Sequence, residues 1–475
     1  MKNIKISSLL SFYSPTAPYY FIYMLQQVEY DGDEFMKWIN RAPNIRLVMR
    51  RKKLILTKKA FVLLVISYGM ASSVIAVALY CLLIGLYPFV AGLLIIQPAL
   101  VIVSLVGATK LGTKLLIIKR RNDYSDAQKK LATMNAVKIV VLGSYGKTTA
   151  KEVLATVLAS RYKVAYTPGN MNVAISHARW IKNNLQGDED YVIFELGESK
   201  SGDIDNFSKL INPDIAIVTG YAPNHIESYG NVEALQSDLV SIEKYIKPEN
   251  LFVEQAAAKI LPFKDHVQTF GLHKVVGNKV EHVVTSLTGT TFDISHKNKT
   301  VTLHTNLIGE HNVPILSLCY ILAINYGLST ELACKTIAIT KPFEHRMQAR
   351  EINGAWLIDD TYNGNIEGIR AGLMLLKDID AKRKIYVTPG LVEQGSETKK
   401  VHEEIGMLIA HTNPNITIFM DNSACIIMKN SLLKNGYKGE IRIESDPISF
   451  YSNIQYELIG GDVILMQNDW TDNYA

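Results

Sequence analysis

Two kinds of hydrophobic pattern divide the chain. From residue 60 to residue 109 there is no charged side chain, whereas beyond about residue 130 short apolar runs alternate with amphipathic stretches and turn signals. One helical crossing of a bilayer needs about 20 apolar residues. The uncharged run is more than twice as long, and Gly85-Leu86-Tyr87-Pro88 near its middle supplies a turn. The pattern predicts two membrane-spanning helices, residues 61–84 and 89–109. A buried hairpin of a soluble core is the rival reading, but such cores seldom run so far without a charge. Upstream, residues 21–24 are apolar, yet Pro15, Pro18, Asp31, Asp33 and Glu34 argue against a third full span. That stretch reads as interfacial.

Beyond the charged residues 119–130 the period changes. Val137-Lys138-Ile139-Val140-Val141-Leu142 reads as a buried strand, followed by a glycine loop and a helical stretch over residues 150–160. Further apolar runs at 191–194, 215–218 and 356–358 continue the alternation, and residues 266–305 predict a smaller β-rich sub-sheet. The fold class is α/β, with mostly parallel strands. Four segments follow: a juxtamembrane segment 1–59, a transmembrane helical hairpin 60–109, a central domain 130–342, and a smaller α/β domain 343–475.

Charge placement refines this picture more than its total of +5. Residues 41–59 hold eight Lys or Arg and no acid, and Lys119-Arg120-Arg121 follows the apolar block. Basic runs that flank apolar spans set topology, so both hairpin ends and everything after residue 110 are expected in the cytoplasm, with the chain in the cell membrane. No nucleic-acid partner is expected. Cys81, Cys319, Cys334 and Cys425 form no C-x-x-C pair, which argues against a zinc ribbon or a disulfide framework.

The loop Gly143-Ser144-Tyr145-Gly146-Lys147-Thr148-Thr149 stands between strand and helix, the context that phosphate binding requires. Its glycines let backbone N–H groups approach phosphate oxygens, and the helix N-terminus adds a positive dipole. Lys147 is expected on the β- and γ-phosphates of ATP and the Thr148 hydroxyl on Mg²⁺. Glu195, ending an apolar strand, is a hard oxygen ligand suited to the same ion, although a solvated strand-end acid looks alike in sequence.

Several ordered motifs resemble the Mur ligase family over residues 135–465: the loop itself, Thr167-Pro168-Gly169-Asn170-Met171-Asn172, Phe194-Glu195-Leu196-Gly197, Asn224-His225-Ile226-Glu227, Gly309-Glu310-His311-Asn312 and Asp359-Asp360-Thr361-Tyr362-Asn363-Gly364-Asn365. The resemblance implies a P-loop central domain, a C-terminal ligase domain and ATP-dependent amide-bond formation through an acyl phosphate. It implies a metal- or phosphate-side role for His225, an arginine against the nucleotide phosphates at Arg346, and an adenine side formed by His311 and Asn312. It also implies a ribose contact from Asp359 or Asp360, with Tyr362 and Asn363 beside the nucleotide. The implied partners are a carboxylate-bearing cell-envelope precursor and an amino acid or dipeptide.

The chain departs from the family pattern in four places. Leu239 occupies the position where the family often has a carbamate-modified lysine, with Asp238 as the one substitute ligand nearby. The hairpin stands where a UDP-binding domain is usual. Met466-Gln467-Asn468-Asp469-Trp470 replaces a Lys-Gly-Ser-Arg segment, and residues 387–393 also differ. Two alternatives therefore stay open: a membrane-tethered ATP-binding scaffold without ligase chemistry, and a ligase for a polyglutamate-like acceptor.

Overall fold

The computed structural model describes residues 11–28, 30–41, 54–169, 171, 173–264, 266–297, 299–362, 364–392 and 394–468, without the side chains of residues 41 and 113–119. The chain divides into two compact units near residue 121.

In the first unit, two helices are long and apolar enough to cross a membrane, at Lys58–Leu83 and Tyr87–Gly112. Thr57 caps the first by accepting a hydrogen bond from the Ala60 N–H at 3.1 Å. Leu63, Ser67, Val74 and Ala78 recur along its single buried face, whereas Phe61, Val65, Leu79, Tyr80 and Leu83 are exposed. The second helix does not stop at residue 109, where the loss of apolar residues suggested an end. It runs on to Thr133, because the Lys, Arg, Ala, Gln and Leu residues that follow are good helix formers. The apolar segment upstream forms a helix at Ala17–Gln27, whose Phe21 and Leu25 pack with Phe35, Leu63, Val101 and Leu105.

The second unit holds two sheets. Strands β1 (Val137–Leu142), β2 (Val164–Tyr166), β3 (Tyr191–Glu195), β4 (Ile215–Val218), β5 (Leu251–Glu254) and β6 (Gln268–Phe270) are parallel in the order β6-β5-β4-β1-β3-β2. Central strands are buried on both faces, which is why they read as unbroken apolar runs. Ile139 and Val141 face the helices Lys147–Ala159 and Val313–Asn325. Val140 and Leu142 face the opposite layer with Ile181, Phe207 and Leu239. The β-rich stretch becomes β7 (Lys274–Val275), β8 (Asn278–Ser286), β9 (Gly289–His296) and β10 (Lys299–Thr305), antiparallel strands that extend the sheet beyond β6.

The other sheet contains β11 (Gln348–Ile352), β12 (Ala355–Asp360), β13 (Arg383–Thr388), β14 (Ile416–Met420), β15 (Glu440–Glu444) and β16 (Asp462–Gln467), ordered β11-β12-β16-β13-β14-β15. Only β11 pairs antiparallel among these described strands. Its core also takes in Tyr145, Ala222 and Ile308 from the first sheet's loops, so the two sheets share apolar packing at the strand ends where α/β ligand sites form.

Candidate active site

Backbone sterics shape the phosphate loop first. Gly143 has φ +125°, and a Cβ there would stand 2.7 Å from the Gly220 carbonyl oxygen, so no other residue fits without displacing β4's exit loop. Gly146, at φ +76°, turns the chain into the Lys147–Ala159 helix. Ser144 anchors the loop by donating from Oγ to the Ala222 carbonyl at 2.8 Å. Asn224 donates to the Ser144 carbonyl at 3.2 Å, which ties the loop to the segment carrying His225. Tyr145 lies against Gly220, where a Cβ would meet its ring at 2.2 Å.

At the helix start, Thr148 Oγ1 donates to Glu195 Oε1 at 3.0 Å and accepts from Arg346 Nη2 at 3.2 Å. One hydroxyl therefore joins β3's end to an arginine from the segment that leads into the other sheet. Arg346 stacks 4.2 Å above the Tyr362 ring. Its backbone turn is strained: His345 and Met347 on either side have φ of +58° and +45°. The acidic pair holds that turn from both flanks. His345 Nδ1 sits 2.9 Å from Asp359 Oδ2, and the Met347 N–H donates to Asp360 Oδ1 at 3.1 Å. Gln467, ending β16, donates to Asp360 Oδ2 at 2.8 Å. Asp360 keeps some contact with solvent, but the protein crowded around it pushes its carboxyl up to about 7, against the pull of these donors and of Arg346.

Both acids thus grip the Arg346 turn. Asp238 is no ready substitute ligand, since Gly202 N–H donates to one carboxylate oxygen at 2.9 Å and Tyr229 OH to the other at 2.8 Å. Burial also pushes that carboxyl up, and Leu239 is fully buried in the core. His311 and Asn312 sit in a short turn where Asn312 Nδ2 donates to the Ile308 carbonyl at 2.8 Å. His225 opens the short helix Ile226–Tyr229 with φ +55°. Gly395, from the loop after β13, approaches that helix closely. Asn170, Asn172, Asn363 and Glu393 lie outside the described residues.

Three participants escaped the sequence reading. Lys151 is fully buried one turn after the loop. It donates to the Gly169 carbonyl at 2.6 Å and lies 3.2 Å from Glu195 Oε2. Glu198, also buried, places both oxygens on the Lys147 ammonium at 2.9 and 3.0 Å. Gln467 is the third. A helical lysine and a loop glutamate read as solvated in sequence, and only tertiary packing reveals otherwise.

Among the described residues no group of three or more His, Cys, Asp or Glu could hold a metal alone. Glu195 Oε2 is nevertheless buried without a hydrogen-bond partner, the nearby Lys151 lying outside hydrogen-bond geometry. A buried carboxylate beside the Thr148 hydroxyl, its second oxygen paired at 3.2 Å with the Lys151 ammonium, fits Mg²⁺, which takes few protein ligands and completes its shell with phosphate and water.

Residues 141–322 match the Mur ligase middle domain. That segment is therefore similar to the middle domain of the Mur ligases. The chain is similar to the UDP-N-acetylmuramoyl-tripeptide–D-alanyl-D-alanine ligase of Bacillus subtilis (strain 168), at 24% identity over 69% of this chain and 72% of that one. The protein of the same name from Borreliella burgdorferi is 26% identical over 56% of this chain and 58% of its own length. In three dimensions the chain resembles the MurF ligase from Thermotoga maritima solved in complex with ADP, with a TM-score of 0.64 and 22% identity over 74% of this chain and 80% of that one.

Proposed function

We propose that this chain is an ATP-dependent amide ligase of the Mur type, working at a membrane on a cell-envelope precursor. A substrate carboxylate is activated by ATP as an acyl phosphate, and an amino acid or dipeptide amine then displaces phosphate. The observation that carries the reading is the junction at Thr148, where loop, Glu195 and Arg346 converge. In this reading Lys147 and Arg346 face the transferring phosphoryl group, where fixed positive charge is worth most. Thr148, Glu195 and His225 would hold Mg²⁺, which would screen the phosphate charge. His311 and Asn312 line the adenine side, and Tyr362 and Asn363 lie beside the nucleotide, with Asp359 or Asp360 near the ribose. The apolar helices Lys58–Leu83 and Tyr87–Gly112 anchor the chain in the cell membrane as a two-helix hairpin, in place of a UDP-binding domain. The basic residues at both ends of the hairpin hold the catalytic domains, residues 130–342 and 343–475, in the cytoplasm.

The test is phosphate release by detergent-solubilised full-length protein, supplied with UDP-N-acetylmuramoyl-tripeptide and D-alanyl-D-alanine singly and together. Release that needs both supports the ligase. Release indifferent to either supports the ATP-binding scaffold, which the buried Leu239 and the engaged Asp238 favour.

A further inference from the structure

The phosphate loop already holds an anion, and the chain supplies it. Lys147 Nζ donates to the Gly143 carbonyl at 2.6 Å and to both carboxylate oxygens of Glu198 at 2.9 and 3.0 Å. The Glu198 side chain is only 2% exposed and that of Lys147 16%, so the pair is largely shielded from water. Glu198 belongs to the loop between β3 and the helix Asp203–Ile211, and Gly202 at φ +87° turns that loop into the helix. Gly202 N–H and the Tyr229 hydroxyl both donate to Asp238, at 2.9 and 2.8 Å.

A lysine at this place in a phosphate loop is there to meet phosphate oxygens. Here its ammonium is occupied by two oxygens of a fixed carboxylate. A carboxylate and a phosphate cannot share one ammonium in a shielded pocket without strong repulsion. We propose that Glu198 is a built-in competitor for the phosphate cradle: it holds Lys147 in the empty enzyme and is displaced when the nucleotide's phosphates arrive. Glu198 is thus a positioning residue. It keeps the ammonium pointed along the loop, at a cost in nucleotide affinity equal to the stability of the closed pair. The loop that carries it is anchored at its start by Leu196 N–H on the Val141 carbonyl at 2.8 Å, and at its exit by Asp203, which accepts from the Ser199 and Lys200 N–H groups at 3.2 and 3.0 Å, and by Gly202 N–H on Asp238 at 2.9 Å.

This inference rests on the nucleotide-site reading above, and one experiment separates the two. Binding of ADP to the full-length protein in detergent is measured by calorimetry, with and without Mg²⁺, for the wild type, Glu198→Gln and Glu198→Asp. Glu198→Gln keeps the shape and loses the charge, so it is expected to bind ADP about tenfold more tightly, by the fraction of empty enzyme the latch holds closed. Its KM for ATP should fall by the same factor. Glu198→Asp retains the charge on a shorter arm and should fall between the two, which keeps the test decisive if the glutamine variant does not fold. Affinity within twofold of the wild type in both variants overturns the proposal. So does weaker binding with a changed Mg²⁺ requirement, because Glu198 would then serve the nucleotide-bound state. Failure of the wild type to bind ADP overturns the nucleotide reading and this inference with it.

Discussion

At the residue scale the site is organised around shared groups rather than isolated ones. Thr148 receives Arg346 and gives to Glu195, so removing the guanidinium breaks one hydrogen bond between the two sheets' segments as well as a charge. Arg346→Ala is expected to lower ATP turnover by about a thousandfold, the low end for a phosphate-facing arginine, while ADP binding and the melting temperature change little. Near wild-type turnover would remove Arg346 from the site. Sequence motifs made Lys147, Thr148, Glu195 and Arg346 legible because each sits at a local landmark: loop, strand end or domain junction. Lys151, Glu198 and Gln467 were not legible, since their roles arise from burial against segments distant in sequence. His177 is another such case. Its Nε2 donates to the Met171 carbonyl at 2.8 Å, its Nδ1 is buried without a partner, and burial pulls its pKa from 6.5 down to about 4. The sign follows directly: below pH 6.5 the unfolded chain takes up the proton first, so stability falls as pH drops towards 4. The slope is about 1.4 kcal/mol per pH unit from this group. Denaturant midpoints between pH 6.5 and 4.5 should fall more steeply for the wild type than for His177→Gln; parallel curves would contradict the assignment.

At the element scale, what the hydrophobic period could reveal was existence and type. Strands buried on both faces announced themselves as apolar runs, and the glycine loop fell between strand and helix as read. The apolar span of the second helix ends within a few residues of where composition put it, and the helix runs on because helix propensity outlasts lipid-compatible composition. The altered end of β16 was also opaque. Gln467 and Asn468 fill space that glycines leave open: a Cβ at Gly372 would meet Gln467 Nε2 at 2.4 Å, and one at Gly364 would collide with Asn468. The departure in sequence is therefore compensated inside the same domain. The tightest element is the phosphate loop. Gly143→Ala combines a left-handed φ with a 2.7 Å contact to backbone, and is expected to cost about 2 kcal/mol or more and to abolish ADP binding. A variant that melts like the wild type and still binds ADP would show that the loop is looser than described.

At the scale of the whole molecule, two claims stand apart. The first is topology: a cysteine placed near Tyr87 should label from outside intact cells and one near Asn122 should not, with the reverse pattern contradicting a cytoplasmic ligase. The second is chemistry, and it is central. Two sheets meet around Thr148 with apolar packing from Tyr145, Ala222 and Ile308, an arrangement suited to excluding water while a carboxylate attacks phosphorus. An amide ligase must transfer one carboxylate oxygen to the departing phosphate, whereas an ATPase takes that oxygen from water. The direct measurement uses UDP-N-acetylmuramoyl-tripeptide with its terminal carboxylate labelled by a heavy oxygen isotope, together with D-alanyl-D-alanine, ATP and Mg²⁺, and the released phosphate is read by mass spectrometry. The account predicts one heavy oxygen per phosphate, a product heavier by the dipeptide less water, and neither from Lys147→Ala. Phosphate released without the label, in the presence of both substrates, would contradict it.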